Sequence, residues 1–361
     1  MIRRPSHVQL LAALGSWCLL GCASARPGAG ARSGAAARAN PPAKYGQLQV
    51  IGTQLCDAGG RPVQLRGMSS AGLQWYGEVI NDAAFTALAR DWQADVVRLA
   101  LYVGEGGYRA HPELKEVVYR GIDLAVRNGL YVVVDWHVLS PGDPNDPLYG
   151  GAQAFFAEVS HKYGKLPNLL YEIMNEPNGT VDWGKDLKPY ADKMVATIRA
   201  NDPDNVILIG SGTWSQDVDL AAVDPVPGKN LMYTFHFYAG SHGEALRGKV
   251  RAALARGVAV FCSEWGTSEA SGNGGPYLEE AERWLTFLDQ QKISWINWSL
   301  CDKGETSAAL KSPSPAGSER DSFLVPETRG AEGYAVWGKN ELSASGAFVR
   351  GKLRRAGGSG P

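Results

Sequence analysis

Two glutamates stand at the ends of apolar, strand-like runs. Tyr171-Glu172-Ile173-Met174-Asn175-Glu176-Pro177-Asn178-Gly179 delivers Glu176, and Val258-Ala259-Val260-Phe261-Cys262-Ser263-Glu264-Trp265-Gly266 delivers Glu264, 88 residues later. Two carboxylates on separate strand ends are what double-displacement cleavage of a glycosidic bond requires. One protonates the leaving oxygen and the other attacks the sugar carbon. The first role needs a proton on Glu176; the second needs a bare carboxylate at Glu264, beside a cation such as Arg98 and a hydroxyl such as Tyr238. Asn175 is suited by type to a sugar 2-hydroxyl, a contact that strengthens in the transition state.

Other polar and aromatic residues gather at similar strand ends: Arg98 and Tyr102, Asp135-Trp136-His137, His236-Phe237-Tyr238, and Trp298. His137 and His236 read as groups that orient the carboxylates, against the alternative of satisfied core histidines. Trp75 and Trp298 read as platforms on which apolar sugar faces stack, whereas Trp92, Trp183 and Trp284 fall on helical patterns and suit packing. The six histidines form no HExxH motif. Asp135 with His137 therefore reads as a hydrogen-bonded pair, and no metal or cofactor is expected. Neither Ser211 nor Ser263 lies in the GxSxG elbow of a serine hydrolase.

These residues need a scaffold that brings strand ends together. Gly46–Gly67 reads as a β-hairpin, with the turn Asp57-Ala58-Gly59-Gly60. Strand patterns follow at 63–69, 94–101, 130–136, 168–174, 205–210, 230–237, 258–263 and 293–298. Helical patterns lie at 81–91, 112–128, 151–163, 185–200, 244–256 and 277–291, with a short link between the fifth and sixth of these strands. Runs such as Val206-Ile207-Leu208-Ile209 are continuously apolar, as parallel strands covered on both faces should be. The expected fold is an α/β class (β/α)₈ TIM barrel with an N-terminal hairpin. An open doubly wound sheet would want a glycine-rich phosphate loop after its first strand, and Gly67-Met68-Ser69-Ser70-Ala71-Gly72 lacks that spacing. Strict alternation sends Asn175 and Glu176 to opposite faces, so the strand must end or bulge there for both to reach a cleft. Residues 312–333 read as a long polar loop, and 341–355 as a closing helix.

Of 361 residues, 44% are hydrophobic and 20% charged, with 11 Trp and a formal charge of −1. That balance offers nothing to nucleic acid or an anionic membrane, while the tryptophans suit uncharged sugar rings. Residues 1–22 read as a signal peptide: Arg3 and Arg4, an apolar stretch from Val8 to Leu20, then Leu19-Leu20-Gly21-Cys22. That ending resembles a lipoprotein processing box with Cys22 as the lipidated residue; ordinary cleavage near Ala23-Ser24-Ala25 is the alternative. Residues 23–43, rich in Ala, Gly, Pro and Arg, read as a disordered tether, followed by a catalytic domain over 44–357 and a tail at 358–361. Cys56, Cys262 and Cys301 remain, and an exported protein could bridge Cys262 to Cys301.

The stretches GLQWYGEVIN, VVVDWHV, YEIMNEPNG, NDPDN, GTWSQDV, FHFYAG, SEWGTSEASGNGG and SWINWSL together resemble glycoside hydrolase family 5, in particular its bacterial endoglucanase subfamily 2. The resemblance spans roughly residues 46–311 and resumes at Leu342-Ser343-Ala344-Ser345-Gly346. It implies a retaining endo-β-1,4-glucanase, monomeric, acting on β-glucan, with Glu176 as acid/base and Glu264 as nucleophile. Arg98, His137, Asn175, His236, Tyr238 and Trp298 match residues around the reacting sugar. Trp75, Tyr102, Lys303 and Glu305 match positions on the non-reducing side of the cleft. A mannanase, xyloglucanase or mixed-linkage glucanase would share this machinery, and a glycan-binding lipoprotein without turnover would share the fold. Ala71 departs from the histidine usual in the subfamily and is expected to face the cleft mouth as a methyl group. With no carbohydrate-binding module after the barrel, weak action on crystalline substrate is expected.

Overall fold

The apolar runs become strands of one closed sheet. The computed structural model describes residues 40–313 and 322–358. A short hairpin comes first, β1 (Gln49–Ile51) and β2 (Gln54–Cys56). Eight parallel strands follow: β3 (Arg66–Ser70), β4 (Val96–Tyr102), β5 (Tyr131–His137), β6 (Leu169–Glu172), β7 (Ile207–Ile209), β8 (Leu231–Tyr238), β9 (Val260–Gly266) and β10 (Trp295–Leu300). They pair in the order β10-β3-β4-β5-β6-β7-β8-β9 and close on themselves, the expected (β/α)₈ barrel. Every residue of β4, β5, β8 and β9 is buried, because the interior fills one face and helices cover the other.

The pleat sorts side chains by parity. Val97, Leu99, Val132 and Val134 point outward into the layer shared with the helices. Val96, Tyr131, Val133, Leu170, Leu208, Met232, Phe261 and Ile296 point inward and cluster with Leu48 and Leu55 of the hairpin region, which caps that apolar layer. Along each inward column, apolar gives way to polar toward the C-terminal strand end: Val96 to Arg98 to Tyr102, Val133 to Asp135 to His137, Leu170 to Glu172, Met232 to His236 to Tyr238. The chemistry thus sits on a packed apolar base at the end where barrel sites form.

The helices follow the same logic. Leu114–Asn128 buries Val118, Ile122 and Ala125 at helical spacing and stops at Gly129, whose φ of 69° is the left-handed C-cap. A Cβ on Gly129 would also lie 2.3 Å from that of Asn40. Asn40 itself caps a short helix, Pro41–Tyr45: its side chain accepts from the Ala43 amide at 2.8 Å, and Pro41 is buried. The last four residues of the expected tether, Asn40 to Ala43, therefore belong to the fold; residues 23–39, the signal segment and Cys22 lie outside the described residues. The expected helix at 81–91 is Asp82–Ala87 continued by a π-turn, Leu88–Trp92. That at 185–200 opens with a π-turn, Trp183–Leu187, before Lys188–Arg199.

Three expectations change. The closing helix is Ala344–Gly358, one residue into the expected tail, and Arg350 and Arg354 anchor it on buried Asp91. The 312–333 segment is not simply a polar loop. It opens the small hairpin Thr328–Arg329 with Ala335–Val336, buries Leu324, and receives the Trp337 indole N–H on the Phe323 carbonyl. Cys56, Cys262 and Cys301 are all buried free thiols, so the Cys262–Cys301 bridge is absent. Among the described residues, no helix is long and apolar enough to cross a membrane.

Candidate active site

Arg98 is the hub. Fully buried on β4, its guanidinium reaches Glu172 Oε2 at 2.6 Å, Glu264 Oε2 at 3.0 Å, Asn175 Oδ1 at 2.6 Å and Asp135 Oδ2 at 3.0 Å. Three carboxylates around one guanidinium outweigh the cost of burial and hold it charged. Glu264 also accepts the Tyr238 hydroxyl at 2.7 Å. Burial and the Glu264 charge push that phenol well above its ordinary value, so it remains a donor.

Asn175 and Glu176 reach the cleft together because β6 stops at Glu172. Beyond it the chain leaves the ladder: the Glu176 amide donates to the Val138 carbonyl at 3.0 Å, and the Ser215 hydroxyl donates to the Asn175 carbonyl at 2.6 Å. His236 and Glu264 pair across β8 and β9 after a shift in register, so a bulge turns Glu264 inward.

One oxygen of Glu176, one of Glu264 and a nitrogen of His236 lie within 4.8 Å of one another. Carboxylate oxygens this close favour a retaining pair, whose carboxyl groups stand about 5–5.5 Å apart, over an inverting pair, which leaves roughly 6.5–9.5 Å for a water. The same three atoms could approach a metal ion. However, His236 Nδ1 is 2.9 Å from Glu176 Oε1, and Glu264 is engaged by Arg98 and Tyr238.

The two buried histidines differ. His137 Nδ1 lies 2.6 Å from Asp135 Oδ2, and its Nε2 faces the Asn175 amide nitrogen at 3.2 Å. Asn175 Oδ1 accepts from Arg98, so its NH₂ donates and His137 Nε2 accepts. Burial, with Arg98 nearby, pushes His137 down to about 3. Burial raises Asp135 against the pull of Arg98, and its Oδ1 has no partner. His236 also suffers burial, but the carboxylates of Glu172, 3.7 Å from its Nε2, and of Glu176, hydrogen-bonded to its Nδ1, push it up to about 10. Burial works against ionised Glu172 as well, and Arg98 and His236 hold it at about 2.

Above this layer runs a file of rings. Trp75 packs on Tyr102 at 5.1 Å, Tyr102 stacks on His137 at 3.9 Å, and His137 stacks on Trp298 at 5.6 Å. Lys303 and Glu305 pair at 2.5 Å on the β10 loop beside it. Nine of the twelve sequence-predicted residues of the barrel line one cleft of about 590 Å³; Arg98 and Asn175 lie behind Glu264, and Trp75 packs against Tyr102 at the edge. The remaining candidate, Cys22, lies outside the described residues. Ala71 is not at the cleft mouth: it is 4% exposed, clustered with buried Cys301 and Ala308 under Tyr76 and Trp298.

Sequence reasoning missed Trp214, which is 47% exposed and lines the cleft on the β7 loop, four strands around the ring from Trp75. It points outward because Thr213, Trp214 and Ser215 all have φ near +55°, a turn held by Thr213 and Lys249 on Asp217. Its stretch GTWSQDV was noted, but no apolar periodicity marks the residue. Glu172 was also missed, hidden as one acid inside an apolar strand.

The family match agrees with this geometry. A model described as Cellulase (glycosyl hydrolase family 5) matches residues 56–304. The chain belongs to glycosyl hydrolase family 5. It is 47% identical over 310 residues to an endoglucanase of Clostridium saccharobutylicum, covering 84% of this chain and 64% of that one. It is 45% identical over 317 residues to endoglucanase 5 of Pectobacterium carotovorum, covering 88% and 59%. The chain thus spans about three fifths of the length of these curated relatives. Among solved structures, a halotolerant family 5 cellulase from an Icelandic hot spring isolate superposes with a TM-score of 0.80 at 45% identity, covering 87% of this chain and 96% of that one. The catalytic domain of a Thermobifida fusca endoglucanase bound to cellotetraose gives 0.79 at 38%, covering 88% and 100%.

Proposed function

We propose that this family 5 chain is an endo-β-1,4-glucanase that cleaves internal bonds of cellulose-type glucans with retention. The observation carrying this reading is the close Glu176–Glu264 pair with unequal surroundings. Glu264 takes donors from Arg98 and Tyr238 and lines the cleft, so it is the nucleophile. Glu176 shares a proton with His236 and is the acid that protonates the leaving oxygen, then the base that draws a proton from water in the second step. Asn175, whose NH₂ is committed to His137 and the Val138 carbonyl, has its Oδ1, shared with Arg98, to accept from the sugar 2-hydroxyl.

Exposed rings on opposite rims support internal cleavage. Trp75 and Trp214 are 51% and 47% exposed, as platforms for a chain passing through an open cleft would be. The relative bound to cellotetraose has a substrate of that kind in its catalytic domain. Release of reducing ends from carboxymethylcellulose, with a rapid fall in viscosity and first-formed β-anomer by proton NMR, is the expected result. Net inversion would remove the double-displacement mechanism, and turnover confined to mannan would remove the glucan assignment.

Export with a lipid on Cys22 is part of the same reading and rests on the Leu19-Leu20-Gly21-Cys22 sequence. Two or three acyl chains together would hold the enzyme stably on a membrane where one would not. Palmitate labelling should mark the wild type and not Cys22→Ser. A mature N-terminus beyond residue 22 would show free secretion instead.

A further inference from the structure

Glu172 does no bond-making in this scheme, yet it is the carboxylate buried deepest under the acid. It lies on β6 with no exposed surface, and its Oε2 is taken by Arg98 Nε at 2.6 Å. Its Oε1 accepts the Ser263 hydroxyl at 2.6 Å. Ser263 Oγ in turn lies 2.9 Å from His236 Nε2, and His236 Nδ1 lies 2.9 Å from Glu176 Oε1. These contacts form one file: Glu172, Ser263, His236, Glu176.

The hydrogens in that file can be assigned. An ionised carboxylate only accepts, and a hydroxyl has one hydrogen to give. Ser263 commits that hydrogen to Glu172, so toward His236 its oxygen can only accept. His236 Nε2 must then carry hydrogen, leaving Nδ1 as the nitrogen whose protonation varies, and Nδ1 faces the acid. We propose that Glu172, acting through the Ser263 hydroxyl, is a positioning residue that fixes the His236 tautomer and so keeps one proton shared between His236 Nδ1 and Glu176 Oε1. This rests on the reading of Glu176 as acid/base.

In the first step, that proton moves from Glu176 to the glycosidic oxygen as the C–O bond breaks and Glu264 bonds to the sugar carbon. In the second, Glu176 takes a proton from the attacking water as the Glu264–sugar bond breaks, which restores the shared proton. His236 neither gains nor loses a proton over the cycle. The groups facing it are carboxylates from three elements (Glu172 on β6, Glu176 beyond it, Glu264 on β9), with Asp135 on β5 and the cation Arg98 on β4 further off. Tyr238 follows on its own strand, and His242 lies on the loop beyond. Acidic neighbours dominate, which explains why the proton is held well into the alkaline range. Removing the Glu172 link should release it earlier.

The test is the pH profile of kcat/KM for Ser263→Ala and Glu172→Gln on two aryl cellobiosides. Phenyl is a poor leaving group that needs the acid; 2,4-dinitrophenyl is a good one that does not. With the phenyl substrate, the alkaline limb should move down by roughly one pH unit, a tenfold loss at a fixed alkaline pH. With the dinitrophenyl substrate, kcat/KM should stay within about threefold of wild type, because proton donation is bypassed. Ser263→Thr keeps the hydroxyl and should restore the profile. Ser263→Ala leaves the Arg98–Glu172 pair intact, so the test survives if Glu172→Gln fails to fold. An unmoved alkaline limb, or equal losses on both substrates, would mean a merely structural role and overturn the proposal. A wild type indifferent to the leaving group would remove the acid role of Glu176 itself, and the proposal with it.

Discussion

The site has two halves, and each contains a buried histidine beside a carboxylate, yet the two histidines are driven in opposite directions. His137 stacks between Tyr102 and Trp298, shares Asp135 with Arg98, and is pushed down to about 3. His236 touches no guanidinium, lies between Glu176 and the Ser263–Glu172 pair, and is pushed up to about 10. Burial opposes charge in both, so the sign is decided by neighbours. Where Arg98 stands close, burial and its charge keep the imidazole neutral, and it serves as an oriented acceptor. Where acids outnumber cations, it holds a proton. In the proposed mechanism one half holds the nucleophile Glu264 and the other serves the acid Glu176.

The largest expected effect is to remove each half's glutamate. Glu264→Gln should abolish formation of the glycosyl-enzyme with any leaving group. Glu176→Ala should cost about 10²–10⁴-fold on glucan, with much of that recovered on dinitrophenyl cellobioside. Azide should rescue Glu176→Ala with retention and Glu264→Ala with inversion. Product anomers read by NMR would exchange the two roles if the pattern came out reversed.

Tyr238→Phe should be milder and confined to the charge-holding half. It deletes the 2.7 Å bond to Glu264 but leaves Arg98 in place. A hydrogen bond to a charged group contributes about 1.5–3 kcal/mol, so kcat/KM should fall roughly ten- to a hundredfold on good and poor leaving groups alike. A loss seen only with poor leaving groups would assign Tyr238 to the proton half.

Stability against pH separates the halves without substrate. His137 and Glu172 have folded-state values below their ordinary ones, so they contribute stability that is present above those ordinary values. It is lost as pH falls, from near 6.5 toward 3 for His137 and from near 4.5 toward 2 for Glu172. His236 is raised, so its contribution is complete below about 6.5 and is lost as pH climbs toward 10. Thermal midpoints should therefore fall on both sides of neutrality. In Ser263→Ala the alkaline decline should be smaller and finish at lower pH, while the acid decline of His137 stays in place, a change that calorimetry across pH 3–10 would detect.

How much of this was legible in the sequence follows from which forces act locally. The barrel strands start and end within about three residues of their apolar runs, because a doubly covered strand writes its burial into every position. Apart from Arg98, which lies inside β4, the barrel site residues sit toward strand ends or on the segments that follow them, where type and position agree. Trp214 was opaque because its exposure comes from three consecutive residues at positive φ, a conformation set by Asp217, Lys249 and the Asn175 carbonyl rather than by local propensity. Glu172 looked like a blemish in an apolar strand, since its partners Arg98 and Ser263 are 74 and 91 residues away. The packing of Asn40 depends on Gly129 leaving room for it, again a distant cause.

Ala71 gives the smallest effect and the clearest test of local against distant reading. The sequence suggested a missing imidazole at the cleft mouth, so that Ala71→His would raise kcat/KM. The structure buries Ala71 against Cys301 and Ala308, with Trp298 of the ring file packed on that cluster. An imidazole there must displace the thiol or tilt Trp298, and overpacking of this kind costs about 1–3 kcal/mol. Ala71→His should therefore lower the melting temperature by several degrees, and lower kcat/KM on soluble glucan only a few-fold, since Glu176 and Glu264 are untouched. Pairing it with Cys301→Gly, which opens space beside residue 71, should recover most of the stability. If the single variant instead gains activity with no loss of stability, the cluster yields more readily than its packing implies. The imidazole would then reach the sugar past Trp298, and the comparison of the two halves would have to include a third histidine.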